Sequence, residues 1–579
     1  MAEQQIPRSE YPRPQLARPD WMNLNGTWQF EIDNGDTGRE RGLPEAKVLA
    51  GEILVPFCPE SSLSGVGHKD FMRAVWYRRE FTLPDTWNQN VLLHFGAVDY
   101  ATEAWVNGQS VGKHRGGYSS FTFDITAALK GGVNTLVVCA QDDTRSGKQP
   151  TGKQSHRYDS FACLYTRTTG IWQTVWLESV PKLHIDKLLL TPDAANGTLA
   201  VEARLSGHGG GNQMLVSASF GGAAMGEVKA AVDSRTVRVT LPLKESHLWA
   251  PGSPLLYDLQ VKLFKNGEAT ESDEVTSYFG LRSVSYDDRK LYLNGKPLFQ
   301  RLVLDQGFYP DGIYTAPTDE ALRHDIELGL EMGFNGARLH QKMFEERYLY
   351  WADKLGYLVW GEHANWGLDI GDPKNLENFL PEWLETLQRD YSHPALVGWC
   401  PFNETGDSRS PQADAILSTV YAATKAADPT RPVIDTSGYL HVITDIYDVH
   451  DYDQNPETFA ERHEGLKIGD AWQNFPTREK YEGQAYFISE YGGIWWNPSQ
   501  LDDVSWGYGD RPKDHEEFYD RYEKLTMALL NHPRMCAFCY TQLTDVELEV
   551  NGLYTYERGV KHDAARIRAI NTRKAAIEE

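Results

Sequence analysis

Residues 318–335 read TDEALRHDIELGLEMGFN, and here the chain changes its period. Thr318 can cap a helix, Asp319 and Glu320 suit its first turn, Leu322, Ile326 and Leu330 share a face, and Gly333 can end it. Before this stretch, runs of sequence alternate as strands do. After it, strand-like and helix-like segments take turns, so the reading of these residues separates a β-sandwich region from an α/β region.

Toward the N-terminus, from about Asn25 to Pro181, the short runs GTWQFEID, VWYRREFTL, NVLLHFGAV, TEAWVNGQSVG, NTLVVCAQDD and GIWQTVWLESV predict a β-sandwich. Asn107-Gly108 predicts a hairpin, because both central residues of a type I′ turn need positive φ. LHIDKLLLTPD, TLAVEARLSG, RTVRVTLPL and LYDLQVKLF repeat the pattern over about 100 residues, the size of an immunoglobulin-like module. The expected domains are a β-sandwich at 1–181, an immunoglobulin-like β-sandwich at 182–280 and a C-terminal domain at 281–579.

Toward the C-terminus, eight apolar runs follow helical or loop segments: 297–305, 334–339, 357–360, 395–399, 432–436, 445–450, 485–490 and 535–540. Eight predict a (β/α)8 barrel; the fifth and sixth are the least regular, and a doubly wound sheet stays open as the alternative. A length of 579 residues accommodates all three domains.

Composition narrows the function. A formal charge of −24 without a Lys/Arg run speaks against nucleic-acid binding. No window resembles a membrane span or an N-terminal leader, which predicts no membrane partner and a cytoplasmic chain, with a removed secretion signal left open. The six cysteines form no paired framework, and Cys536 and Cys539 read as core residues.

In a barrel, chemistry belongs where strands end. Those ends carry Asp305, Arg338, His340, Glu362, Asn403-Glu404, His450, Tyr452 and Glu490-Tyr491. Glu404 follows an apolar strand and precedes Thr405-Gly406, and Glu490 comes directly off FIS before Tyr491 and two glycines. Two carboxylates on one rim suit glycoside hydrolysis, one protonating the leaving oxygen while the other attacks the anomeric carbon or activates water. The plainer reading is that each acid pairs with a rim arginine such as Arg338. His450 and Tyr452 are placed to contact sugar hydroxyls or to satisfy the core. Trp366, Trp495, Trp496 and Trp506 lie in loops after strands, where aromatic faces stack on sugars. Glu362-His363 raises a metal site, but adjacent strand residues diverge and no ligand spacing follows, so no metal or other cofactor is expected. The loop from Asp142 to Gly170 is long enough to reach over the barrel mouth and favour exo action.

The chain resembles glycoside hydrolase family 2, the β-galactosidases, β-glucuronidases and β-mannosidases, through NLNGTWQF, GIWQTVWLE, LYLNGKPLFQR, FNGARLHQKMFEERYLYWADKLGYLVWGE, NE and SEYG. The resemblance implies that the sandwich at 1–181 is a jelly-roll sugar-binding-type domain, that Glu404 is the acid/base, Glu490 the nucleophile, Asn403 a donor to the sugar 2-OH and Arg338 the support of the ionised nucleophile. Departures are His340-Gln341-Lys342 after the arginine, Tyr540 where relatives place a pocket tryptophan, and Asn551-Gly552-Leu553 in place of the Asn-x-Lys of β-glucuronidases. The missing lysine disfavours a uronate. The expected substrate is an oligosaccharide or glycoside with a neutral terminal sugar, β-D-galactose first. A β-galactofuranoside, α-L-arabinoside, β-mannoside or glucuronide, or a non-catalytic carbohydrate-binding role, are the alternatives, and a homo-oligomer is compatible.

Overall fold

The computed structural model describes residues 6–265, 271–407, 410–478, 480–500 and 504–578. Its first sandwich packs a six-stranded antiparallel sheet against a four-stranded one around Trp28, Tyr77, Leu93 and Val138. Strands Ala101–Val106 and Gln109–Arg115 meet through the expected two-residue turn, with φ of +52° at Asn107 and +81° at Gly108. The second sandwich has three- and four-stranded sheets, and alternate residues of Tyr257–Phe264 are buried, as one inward face requires.

The barrel strands are β1 (Gln300–Asp305), β2 (Gly336–Leu339), β3 (Leu358–Glu362), β4 (Leu396–Cys400), β5 (Thr436–Ser437), β6 (Ile446–Asp451), β7 (Ala485–Gly492) and β8 (Met535–Thr541). Seven form one sheet in the order β4-β3-β2-β1-β8-β7-β6. Because β1 pairs in parallel with both β2 and β8, the sheet curls back on itself, which removes the doubly wound alternative. β6 is regular, whereas β5 is only two residues long and pairs with Phe402–Asn403 just beyond β4. Side chains join β5 to β6: Ser437 Oγ and Gly438 N donate to Asp448 at 2.7 and 3.0 Å.

The helices are α1 (Asp319–Glu331), α2 (Glu346–Leu355), α3 (Leu376–Asp390), α4 (Asp414–Ala427), α5 (Pro456–His463), α6 (His515–Leu530) and α7 (Ala564–Asn571). In α1, Thr318 Oγ1 accepts from Ala321 N at 3.2 Å, Leu322 and Ile326 are buried, and Gly333 takes φ +84° beyond the end, as the residue types require. Between β5 and β6, residues 438–445 cross without a helix. Barrel and sandwiches are tied together: Trp249 Nε1 donates to Asp353 O at 2.8 Å, and Glu382 accepts from Tyr118 N at 2.6 Å. All six cysteines are free, and Cys536 and Cys539 are buried in β8. No helix among the described residues is long and apolar enough to cross a membrane.

Candidate active site

On β7 the local backbone decides what faces inward. Val449 and His450 of β6 stand opposite Ile488 and Glu490, so Ser489 is an extra residue on β7, a bulge that re-aims its neighbours. Ser489 Oγ bonds Ser437 Oγ at 3.1 Å inside the barrel, and Glu490 also turns inward. Tyr491 turns outward, its hydroxyl 2.9 Å from Thr526 Oγ1 on α6. The sequence expectation that Tyr491 stands in the pocket is corrected by this parity.

Arg338, fully buried at the end of β2, is the hub. It donates to Glu490 Oε1 and Glu362 Oε2, both at 2.7 Å, and to Asn403 Oδ1 at 2.6 Å. With its oxygen so occupied, the buried Asn403 Nδ2 has no partner among the described residues and remains a donor for a ligand oxygen. Tyr452 donates its hydroxyl to Glu490 Oε2, and that hydroxyl lies 3.1 Å from Thr541 Oγ1 of β8. Tyr508 stacks on the Tyr452 ring with centroids 3.5 Å apart. Burial alone would raise the Glu490 pKa, but His450, Arg338, the Tyr452 hydrogen bond and Lys153 hold it below the ordinary carboxylate value.

Glu404 differs. It follows Asn403 with φ +50°, a conformation an L-residue adopts only when its surroundings impose it, and its N–H donates to Ser437 O at 3.0 Å. Its side chain keeps 21% exposure against 6% for Glu490. His450 spans the two acids, with Nδ1 2.8 Å from Glu404 Oε1 and Nε2 3.4 Å from Glu490 Oε1. Burial lowers the His450 pKa, but Glu490 and Glu404 outweigh it and raise the value overall. Ligand atoms of Glu404, His450 and Glu490 lie within 4.8 Å of one another. Among the described residues these three are near enough to share a cation, but a carboxylate pair bridged by histidine is equally the arrangement of a proton-transferring site.

The other expected residues take supporting or scaffold positions around this centre. Asp305 accepts from Gly307 N at 2.9 Å and Tyr348 O–H at 3.1 Å, and burial and Asp325 push its pKa up to about 6. Tyr540 packs against Tyr491 and Tyr522 on the outer side of β8, leaving Thr541 at the pocket. One face of Trp495 is covered by the Arg511 guanidinium, 3.9 Å from the ring centroid. Glu362 supports Arg338, accepts Gln341 N at 2.9 Å, and is pushed up to about 7, chiefly by burial. His340 Nδ1 lies 3.1 Å from Glu362 Oε1, and burial, with nearby Lys153 and Arg338, holds its pKa well below the usual imidazole value. Glu362 and His363 diverge, the latter lying 3.5 Å from Glu382.

The 142–170 loop does reach the barrel mouth. Thr151 N and Gly152 N donate to Trp366 O at 2.7 and 3.0 Å, Trp506 Nε1 donates to Ala162 O at 2.8 Å, and Tyr165 donates to Glu549. Lys153 thereby enters the site with its Nζ 4.0 Å from the Trp366 ring centroid. Lys153, Tyr165, Ser437, Asp448, Ser489, Thr541 and Glu549 were missed as site residues. Only the loop's length hinted at the first two.

The chain shares its family and fold with known proteins. The family models described as glycosyl hydrolases family 2 sugar binding domain, glycosyl hydrolases family 2, and its TIM barrel domain match residues 66–180, 183–282 and 284–503. Among curated relatives, a Felis catus β-glucuronidase is 28% identical over 474 residues, covering 73% of this chain and 69% of that one. A Thermoanaerobacter pseudethanolicus β-galactosidase is 29% identical over 399 residues, 66% of this chain and half of its own length. The Lactobacillus rhamnosus β-glucuronidase structure superposes with a TM-score of 0.82 at 19% identity, over 98% of this chain and 100% of that one. A Ruminococcus gnavus β-glucuronidase in complex with D-glucuronic acid gives 0.79 at 19% identity, over 97% and 99%.

Proposed function

Because the chain belongs to glycoside hydrolase family 2 and is an O-glycoside hydrolase, we propose that it is a retaining, exo-acting β-glycosidase with Glu490 as nucleophile and Glu404 as acid/base. The observation that carries this reading is the approach of the two carboxylates to within 4.8 Å. Retaining enzymes keep their pair about 5–5.5 Å apart, whereas inverting ones leave about 6.5–9.5 Å for a water. Glu490, held ionised by Arg338, Tyr452 and His450, attacks the anomeric carbon while Glu404, on the wetter side, donates a proton to the departing oxygen. The glycosyl ester on Glu490 is then released by water that Glu404 deprotonates. Asn403 Nδ2 is available to the sugar 2-OH, and the 142–170 loop walls the mouth, which favours a terminal sugar.

For the glycone, leucine at 553 instead of a lysine speaks for a neutral sugar such as β-D-galactose, whereas Lys153 and relatives named β-glucuronidase speak for a uronate. Initial rates on p-nitrophenyl β-galactoside, β-glucuronide, β-mannoside, β-glucoside, β-galactofuranoside and α-L-arabinofuranoside, with Glu490→Ala as blank, test the proposal. One dominant signal that vanishes in the variant is expected, and turnover unchanged by Glu490→Ala would overturn it.

A further inference from the structure

Lys153 belongs to the first domain yet is built into the barrel site. Its carbonyl accepts Tyr165 N at 2.7 Å, and the preceding Gly152 takes φ +56°, where a Cβ would stand 2.2 Å from Gln341 O. The loop therefore fits the barrel rim without slack. The residue is 6% exposed and its Nζ lies over Trp366, whose indole N–H donates at 3.2 Å to the carbonyl of Asn403, the residue before Glu404.

Among the described residues, no acceptor comes within hydrogen-bonding or ion-pairing distance of its Nζ. The residue is buried while its ammonium keeps access to solvent, so its protons are free for a ligand acceptor. The nearby acids are engaged elsewhere: Glu490 by Arg338 and Tyr452, Glu404 by His450, Glu549 by Tyr165 and by Asn551 Nδ2 at 3.0 Å. Burial works against the charge, but the field of Cys163, Glu549, Glu490 and Glu404 outweighs it and keeps the group cationic. What remains is a cation held over Trp366, within the field of Glu404 and Glu490, with its hydrogen-bonding capacity unused.

We propose that Lys153 is the specificity-determining residue of the site, donating to a carboxylate on the terminal sugar, so that the substrate class is a uronic acid β-glycoside. This rests on the retaining-glycosidase reading above. A carboxylate supplies the missing acceptor and takes two of the three ammonium protons, whereas a neutral hydroxyl offers only a dipole. It also removes the objection raised by Leu553, since the cation is delivered from another domain.

The experiment is kcat and KM of the full chain and its Lys153→Gln and Lys153→Arg variants on p-nitrophenyl β-D-glucuronide and β-D-galactoside, with melting temperatures as a folding check and Glu490→Ala alongside. The expected result is a wild-type preference for the glucuronide, reduced about a hundredfold in Lys153→Gln, mostly through KM, and largely retained in Lys153→Arg. A wild type that prefers the galactoside, or a Lys153→Gln preference within threefold of wild type, overturns the proposal. Either result, with turnover still lost in Glu490→Ala, leaves the retaining reading standing; turnover that survives in Glu490→Ala fails that reading instead.

Discussion

The ends of β7 and β4 each present a glutamate to the same pocket, yet they are built differently. Glu490 sits on an eight-residue strand, is nearly buried, and takes hydrogen bonds from Arg338 and Tyr452. Glu404 sits just past a strand at a positive φ, is more exposed, and touches His450. A nucleophile must stay ionised and fixed relative to one carbon, which a rigid mount with cationic donors provides. An acid/base must gain and lose a proton within each cycle, which a wetter position allows. The difference teaches that one kind of side chain acquires two duties from its surroundings.

The most severe way to break this comparison is Glu490→Ala. It removes the covalent route, and kcat falls about 10⁴-fold or more on every substrate, checked by steady-state rates. A residual rate above one-hundredth of wild type means another group attacks. Glu404→Ala sharpens the contrast: turnover falls by about 10²–10⁴, more on alkyl glycosides that need protonation than on p-nitrophenyl glycosides that do not. Equal losses on both leaving groups would strip Glu404 of the acid role.

Arg338→Gln tests how Glu490 is kept ionised. Removing the cation favours the neutral acid, so the Glu490 pKa rises. Since the nucleophile must be deprotonated, the acid limb of kcat/KM moves to higher pH, by about one unit or more. A pH–rate profile on the folded variant reads this shift, and an unmoved limb would return Arg338 to a purely structural part.

The sequence disclosed strands where hydrophobic runs were continuous and turn residues explicit, as at Asn107-Gly108, and both glutamates, because each ends an apolar run. It did not disclose side-chain direction past Ile488, since a single extra residue at Ser489 reverses parity and no residue type announces it. Asp305 and Tyr540 were misjudged for a related reason: standing at a strand end does not say whether a side chain meets the pocket or the surrounding scaffold. Lys153 was hidden because Trp366, beneath its ammonium, and Gln341, against which Gly152 packs, lie about 200 residues away in sequence. Short β5 was faint because its joining to β6 rests on Asp448 and Ser437 rather than on a long apolar run.

Tyr452→Phe is the gentlest test and bears most directly on the environment of Glu490. The ring keeps its stack on Tyr508, so packing is preserved while one hydroxyl is lost. That hydroxyl donates to Glu490 Oε2, and a hydrogen bond to a charged group is worth about 1.5–3 kcal/mol. As the ester forms, Glu490 gives up its charge and the bond weakens, so its removal has two opposing effects: a poorer hold on the nucleophile and a more reactive carboxylate. The net expectation is a loss of about tenfold or less in kcat/KM, with the acid limb displaced upward less than in Arg338→Gln, because a neutral donor is removed rather than a full charge. A displacement as large as that of the arginine variant would make the Tyr452 hydroxyl as important as the buried guanidinium in keeping Glu490 ionised.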